Sequence, residues 1–203
     1  MNQINNYLKK AARWSRFLVF LPGVRAIFLS GSLAQGIGTD QSDIDIFIVA
    51  RKGKIFTARF FVAGFLCLFR QLANQEKNHA GKICPNHFIT DGSLEIREKD
   101  SYAAKLFSHN QFLAGDLSIW DKFRAVNASW IMSFGEKFKE ESFLIEKEEL
   151  VKNGKNGLLE KYLKKIQIRK IEKNKKNIPL EAKIILEDFE IRLHPNPKGN
   201  QNS

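Results

Sequence analysis

Two acidic residues one position apart, Asp43 and Asp45, open an apolar run of strand character, Ile44 and Ile46 to Ala50. Residues two apart in a strand project from the same face, so the carboxylates stand side by side while Ile44 and Ile46 turn toward the core. Held this close in an apolar strand, two carboxylates repel and desolvate each other unless a cation sits between them. Such oxygen ligands suit Mg²⁺ (or Mn²⁺), which combines one or two carboxylates with substrate phosphates. The complementary part is Gly31-Ser32, which ends another short apolar run and precedes Asp43 by ten intervening residues. A glycine at a strand end lets the backbone approach phosphate closely, and the N–H groups and hydroxyl that follow can cradle an anion. Either half alone is common. Strand, Gly-Ser, ten residues, then Ser42-Asp43-Ile44-Asp45 opening a second strand is far more specific.

These groups need a scaffold. Ile4, Tyr7, Leu8, Ala11, Trp14, Leu18 and Leu21 recur at three- and four-residue steps, which predicts an amphipathic helix stopped by Pro22-Gly23. Val24 to Leu29 reads as the strand leading into Ser30-Gly31-Ser32, and Ile55 to Leu72 as a buried helix over the sheet. Ile83 to Thr90 and Ser93 to Ile96 flank Asp91-Gly92, a pair suited to a type I′ turn, so a hairpin is expected. After residue 100 the pattern turns helical. Asp100-Ser101 can cap a helix running to about Leu113, and Ser118 with Asp121 fits a capping box. Leu158, Leu159, Tyr162, Leu163 and Ile166 mark a further helix with lysines opposite, while Ala182 to Leu193 is open between helix and strand. This order implies an α/β (α+β) fold with a small mixed sheet and a C-terminal helical region.

Composition bounds the function. At 43% apolar and 27% charged residues the chain reads as globular and soluble. Cys67 and Cys84 lack C-x-x-C spacing, which fits a reduced, cytoplasmic protein and gives no support for a disulfide framework or zinc site. The longest apolar run, Phe60 to Phe69, is ten residues, about half the ~20 that span a bilayer, so a buried helix is expected and no membrane partner. The net charge of +11 has a local source: Lys152 to Lys176 holds ten Lys or Arg against two Glu. Such a stretch attracts phosphate-rich partners or serves as a solvated helix face. Lys52 and Lys54 read as a surface turn, and His87, alternating with Asn86, is expected to point away from the site.

Leu29-Ser30-Gly31-Ser32-Leu33-Ala34-Gln35-Gly36, followed by Ser42-Asp43-Ile44-Asp45-Ile46, resembles the signature of the DNA polymerase β nucleotidyltransferase superfamily. More loosely, the chain is similar to a group of prokaryotic nucleotidyltransferase-domain proteins that share a Cys-x-Asn strand, here Cys84-Pro85-Asn86, and a late His-Pro-Asn, here His194-Pro195-Asn196. The resemblance implies transfer of a nucleoside monophosphate from a triphosphate to a hydroxyl or similar acceptor. It implies that Gly31 and Ser32 bind the nucleotide phosphates and that Asp43 and Asp45 are the catalytic metal ligands for Mg²⁺ or Mn²⁺. Many members add a third carboxylate from a later strand, often the base for the acceptor. Ile83 to Thr90 contains no acid; Asn86 takes the corresponding position, and Glu95 is the alternative if a two-residue hairpin pairs it with Phe88. Residues 1–99 are then the nucleotidyltransferase core with its N-terminal helix, 100–195 a helical region and 196–203 a flexible tail. The acceptor is open between RNA, protein and a small molecule. Two other readings stand beside this one: a catalytically weak nucleotide-binding, antitoxin-like regulatory module, and an RNA-binding protein that uses the basic C-terminal helix.

Overall fold

A computed structural model of the chain describes residues 2–73, 79–139, 157–174 and 184–193. Helix α1, Asn2–Leu18, forms as its periodicity predicts and buries Tyr7, Ala11 and Leu18. Strand β1, Val24–Leu29, leads through a short helix α2, Gly31–Gln35, to β2, Ile44–Ala50. Helix α3, Ile55–Leu68, and strand β3, Ile83–Thr90, follow. β1 and β2 are antiparallel, whereas β3 runs parallel to β2, so the segment carrying α3 crosses over one face of the sheet.

Beyond residue 100 the first helix is shorter than expected. α4 spans Ser101–Ser108, with the Asp100 carboxylate accepting from Ala103 N at 2.6 Å, and does not reach Leu113. Gln111–Gly115 is instead strand β4, paired antiparallel with β1, where it covers an edge that would leave backbone groups unpaired. Helix α5, Leu117–Ser133, is capped by Asp116, which accepts from Ser118 N at 2.9 Å, so the cap lies two residues before Ser118. Helix α6, Leu158–Asn174, precedes β5, Ile185–Leu186, and β6, Glu190–Arg192. The ambiguous stretch around 182–193 thus contains strand. The result is a mixed α/β architecture on a six-stranded sheet of order β4-β1-β2-β3-β6-β5. Strands β4 and β6, both from beyond residue 100, share this sheet with β1 to β3.

The hairpin expected across Asp91-Gly92 reduces to one bridge between Thr90 and Ser93. Leu94 and Ile96 then turn into the core, where Asn127 of α5 accepts from Ile96 N and donates to Leu94 O, each at 2.9 Å. With their backbone groups satisfied by a helix, these residues do not extend into a second strand, and β6 pairs with β3 instead.

Apolar clusters lie on both faces of the sheet. Ile44, Ile46 and Ile48 of β2 join α1, α3 and α6 on one face, while Phe47 and Val49 join α4 and α5 on the other. The buried face of α6 is Glu160, Leu163, Gln167 and Ile171; Leu158, Leu159, Tyr162 and Ile166 are exposed. This rotation from the expected apolar face has a polar cause, since Glu160 and Gln167 hydrogen-bond the first turn of α3. Among the described residues no helix is long and apolar enough to cross a membrane. The tail 196–203 and the His194-Pro195-Asn196 motif lie outside the described residues.

Candidate active site

Antiparallel pairing brings the end of β1 beside the start of β2, so the Ser30-Gly31-Ser32 turn adjoins Asp43 and Asp45. Ser30 N donates to Asp45 O at 3.0 Å. Gly31 has a left-handed φ of 68°, and a Cβ built there would lie 2.1 Å from Asp45 Oδ2. Backbone conformation and close approach therefore both demand glycine. Ser32 follows, its Oγ donating to Ser42 Oγ at 3.3 Å, while Ser42 Oγ accepts from Thr39 N at 2.9 Å. These bonds tie the returning loop over the same end of the sheet.

On the other side of β2 the parallel register sets Cys84 opposite Asp45. A bulge comes next: Ile46 faces Pro85 but Phe47 faces His87, which leaves Asn86 as the extra residue. Asn86 Nδ2 donates to Asp45 Oδ1 at 2.7 Å, so this side chain does reach the aspartates. The bulge also reverses the expectation for His87. Instead of pointing away, His87 is buried on the Asp45 face, its ring 5.0 Å from that of Phe47, with Nε2 3.0 Å from Glu190 Oε1. Burial pushes the Glu190 carboxyl up. The hydrogen bond and charge of His87, with Arg192 and Arg97, outweigh that and hold it below its ordinary value. Arg192 in turn donates to Glu98 at 2.6 Å.

Sequence reasoning misses Cys84. The ligand atoms of Asp43, Asp45 and Cys84 all lie within 4.8 Å of one another. Burial pushes the Cys84 thiol well up, and the nearby Asp45 and Asp43 carboxylates act in the same direction. The signals available beforehand are the Cys84-Pro85-Asn86 motif and its place in the strand after the aspartates; the register that aligns Cys84 with Asp45 is set across the long α3 crossover. Glu95, by contrast, does not join the group. It is exposed and paired with Lys99 at 2.5 Å, because the second hairpin strand that would aim it inward is not formed. Lys52 and Lys54 follow the far end of β2, away from the aspartates.

Gly31, Ser32, Asp43, Asp45, Asn86 and His87 line a cleft of about 700 Å³, with Tyr102, Ala103 and Leu106 of α4 and Arg192 of β6 on its walls. That volume is in the range of small-ligand sites. Two carboxylates against a backbone that no Cβ could share form a donor set that fits a divalent cation, with the Cys84 sulfur as a softer third donor. No third carboxylate joins Asp43 and Asp45 among the described residues.

Residues 12–110 match the model of the nucleotidyltransferase domain family, a stretch that runs from within α1 to the residue before β4. No curated protein matches the chain. A solved structure, described as the crystal structure of the toxin-antitoxin with AMP-PNP, is similar at 18% sequence identity with a TM-score of 0.33, covering 64% of this chain and 86% of that one.

Proposed function

We propose that this chain is a nucleotidyltransferase of the DNA polymerase β-like superfamily, which transfers a nucleoside monophosphate from a nucleoside triphosphate to an acceptor nucleophile; the match of residues 12–110 to the nucleotidyltransferase domain model supports this reading. Asp43 and Asp45 hold Mg²⁺ or Mn²⁺ in this reading, and Gly31 and Ser32 bind the phosphates. The observation that carries it is the contact between Gly31 and Asp45: phosphate turn and carboxylate adjoin with no side chain between them. The N–H groups of the turn and the Ser32 hydroxyl donate to phosphate oxygens and orient the triphosphate along the cleft. Asn86, through its amide, helps fix the rotamer of Asp45 by donating to Oδ1, while Oδ2 lies against the Gly31 backbone. A bound divalent cation supplies charge neutralisation for the phosphates and lowers the pKa of an acceptor hydroxyl. Leu106 and Phe107 on α4 contribute apolar surface to the cleft wall, which limits water around the reacting groups.

The test is joint stabilisation. Mg²⁺ and a nucleoside triphosphate together should raise the stability of the protein by more than the sum of either alone; a nucleotide at a hundredfold excess over its Kd in the presence of metal stabilises by roughly 2.7 kcal/mol. Asp43→Asn with Asp45→Asn should abolish that synergy and leave the melting point without ligand unchanged or raised, since a like-charge pair is relieved. A clear fall in that melting point would mean the aspartates are structural. Incubation with labelled triphosphates, Mg²⁺ and cell extract then separates transfer from binding: label on an acceptor supports the enzyme, and binding without label favours a nucleotide-binding module.

A further inference from the structure

We propose that Cys84 is the third metal ligand of this site, and that its sulfur makes the site favour thiophilic divalent cations over Mg²⁺. The inference rests on the metal role proposed above for Asp43 and Asp45.

Geometry carries it. Adjacent strands lie about 4.8 Å apart, and Cys84 is the register partner of Asp45 on the neighbouring parallel strand. The ligand atoms of both aspartates and the sulfur lie within 4.8 Å of one another, close enough to share one cation. Gly31 closes the opposite side against Asp45 Oδ2, which leaves that carboxylate little room to turn away from the sulfur. The bulge at Asn86 directly after this pair keeps the amide on Asp45 while Cys84 stays in register. When a cation enters, the thiol proton leaves for solvent and the sulfur joins two carboxylates around the metal. Mg²⁺ demands small, near-octahedral oxygen coordination and gains little from sulfur, whereas thiolate suits zinc and other softer ions. The competing account is that Cys84 is only a partly buried strand residue packed beside the carboxylates.

Cadmium is the probe, because its bond to thiolate absorbs in the ultraviolet. The chain has two cysteines, so the measurement belongs in a Cys67→Ser background where Cys84 is the sole thiol. Stoichiometric Cd²⁺ should then give a sulfur-to-metal charge-transfer band that disappears in the Cys67→Ser/Cys84→Ser protein. Cd²⁺ affinity should fall there by at least the roughly 10–100-fold that loss of a mere outer-shell partner costs. Cys84→Asp, a second variant that keeps a ligand at this position, should lose the band and shift the preference back toward Mg²⁺. A protein that binds Cd²⁺ without the band, or a Cys84→Ser variant that binds it as tightly as its parent, overturns the proposal. Should the band appear while Mg²⁺ and triphosphate show no joint stabilisation, the nucleotidyltransferase reading fails and the thiolate site stands.

Discussion

At Gly31 a hydrogen occupies the place from which any Cβ would stand 2.1 Å from an Asp45 oxygen. Gly31→Ala therefore meets two penalties. The left-handed φ of 68° costs an L-residue about 1–2 kcal/mol, and the overlap forces either the turn or the carboxylate to move. The urea midpoint should fall by at least the backbone share, and joint stabilisation by Mg²⁺ and triphosphate should fall further than that loss explains. A folded Gly31→Ala protein with intact joint stabilisation would show that this contact is not part of the site. The same residue shows what a sequence can and cannot reveal. The juxtaposition of Gly31, Ser32, Asp43 and Asp45 is legible because it depends on local strand alternation and on one short connection. Cys84 is not, because its place depends on the register of two strands joined by a long crossover. His87 is misread for a related reason: the single extra residue at Asn86 flips the alternation after it.

Helix α3 begins without a side-chain cap of its own, since Lys54 at its N-cap offers none. The need is met from α6. Glu160 accepts from Phe56 N and Thr57 N, both at 2.8 Å, and from the Thr57 hydroxyl, while Gln167 donates to Phe56 O at 2.8 Å. A carboxylate at a helix N-terminus also meets the positive end of the helix dipole. This docking explains why apolar periodicity mispredicts the buried face of α6: two polar residues, spaced at i and i+7, make the contact. Helix existence is readable from spacing; orientation is not when polar groups decide it. Glu160→Ala leaves buried N–H groups unsatisfied and should cost about 1–3 kcal/mol, read as a lower urea midpoint with faster hydrogen exchange at Phe56 and Thr57. Joint stabilisation by Mg²⁺ and triphosphate should persist, because α6 packs on the sheet face opposite α4. Unaltered exchange at both amides would show that Glu160 does not hold α3.

Among the described residues, the basic helix and the candidate site are separated. The exposed Lys161, Lys165, Lys170 and Lys173 belong to α6, which lies with α3 across the sheet from the α4 wall of the cleft. The basic helix therefore does not line the cleft, and a phosphate-rich partner drawn to it would have to wrap the sheet to reach Asp45. Connectivity, in contrast, binds distant segments together. The family match ends at Asn110, yet β4 pairs with β1, α5 covers Phe28 and Phe47, and β6 pairs with β3 from the other end of the chain. Where β6 meets β3, Glu190 bonds the buried His87, and Arg192 bonds Glu98 before α4. These ties predict a single cooperative unfolding transition, with tryptophan fluorescence and far-ultraviolet circular dichroism coinciding. Trp14 on α1 and Trp120 and Trp130 on α5 report from both faces of the sheet. Acid should reveal the link through Glu190. Its carboxyl is held below the ordinary 4.5, so the stability its ionised form contributes is fully present above that pH and is lost as pH falls through the lower folded value. Glu190→Gln should lower the melting point at neutral pH and make its decline in acid shallower than that of the wild type. Two separable transitions would mean that residues 1–110 and the later strands unfold as independent units. A variant whose acid limb matches the wild type would mean that the Glu190–His87 contact does not couple them.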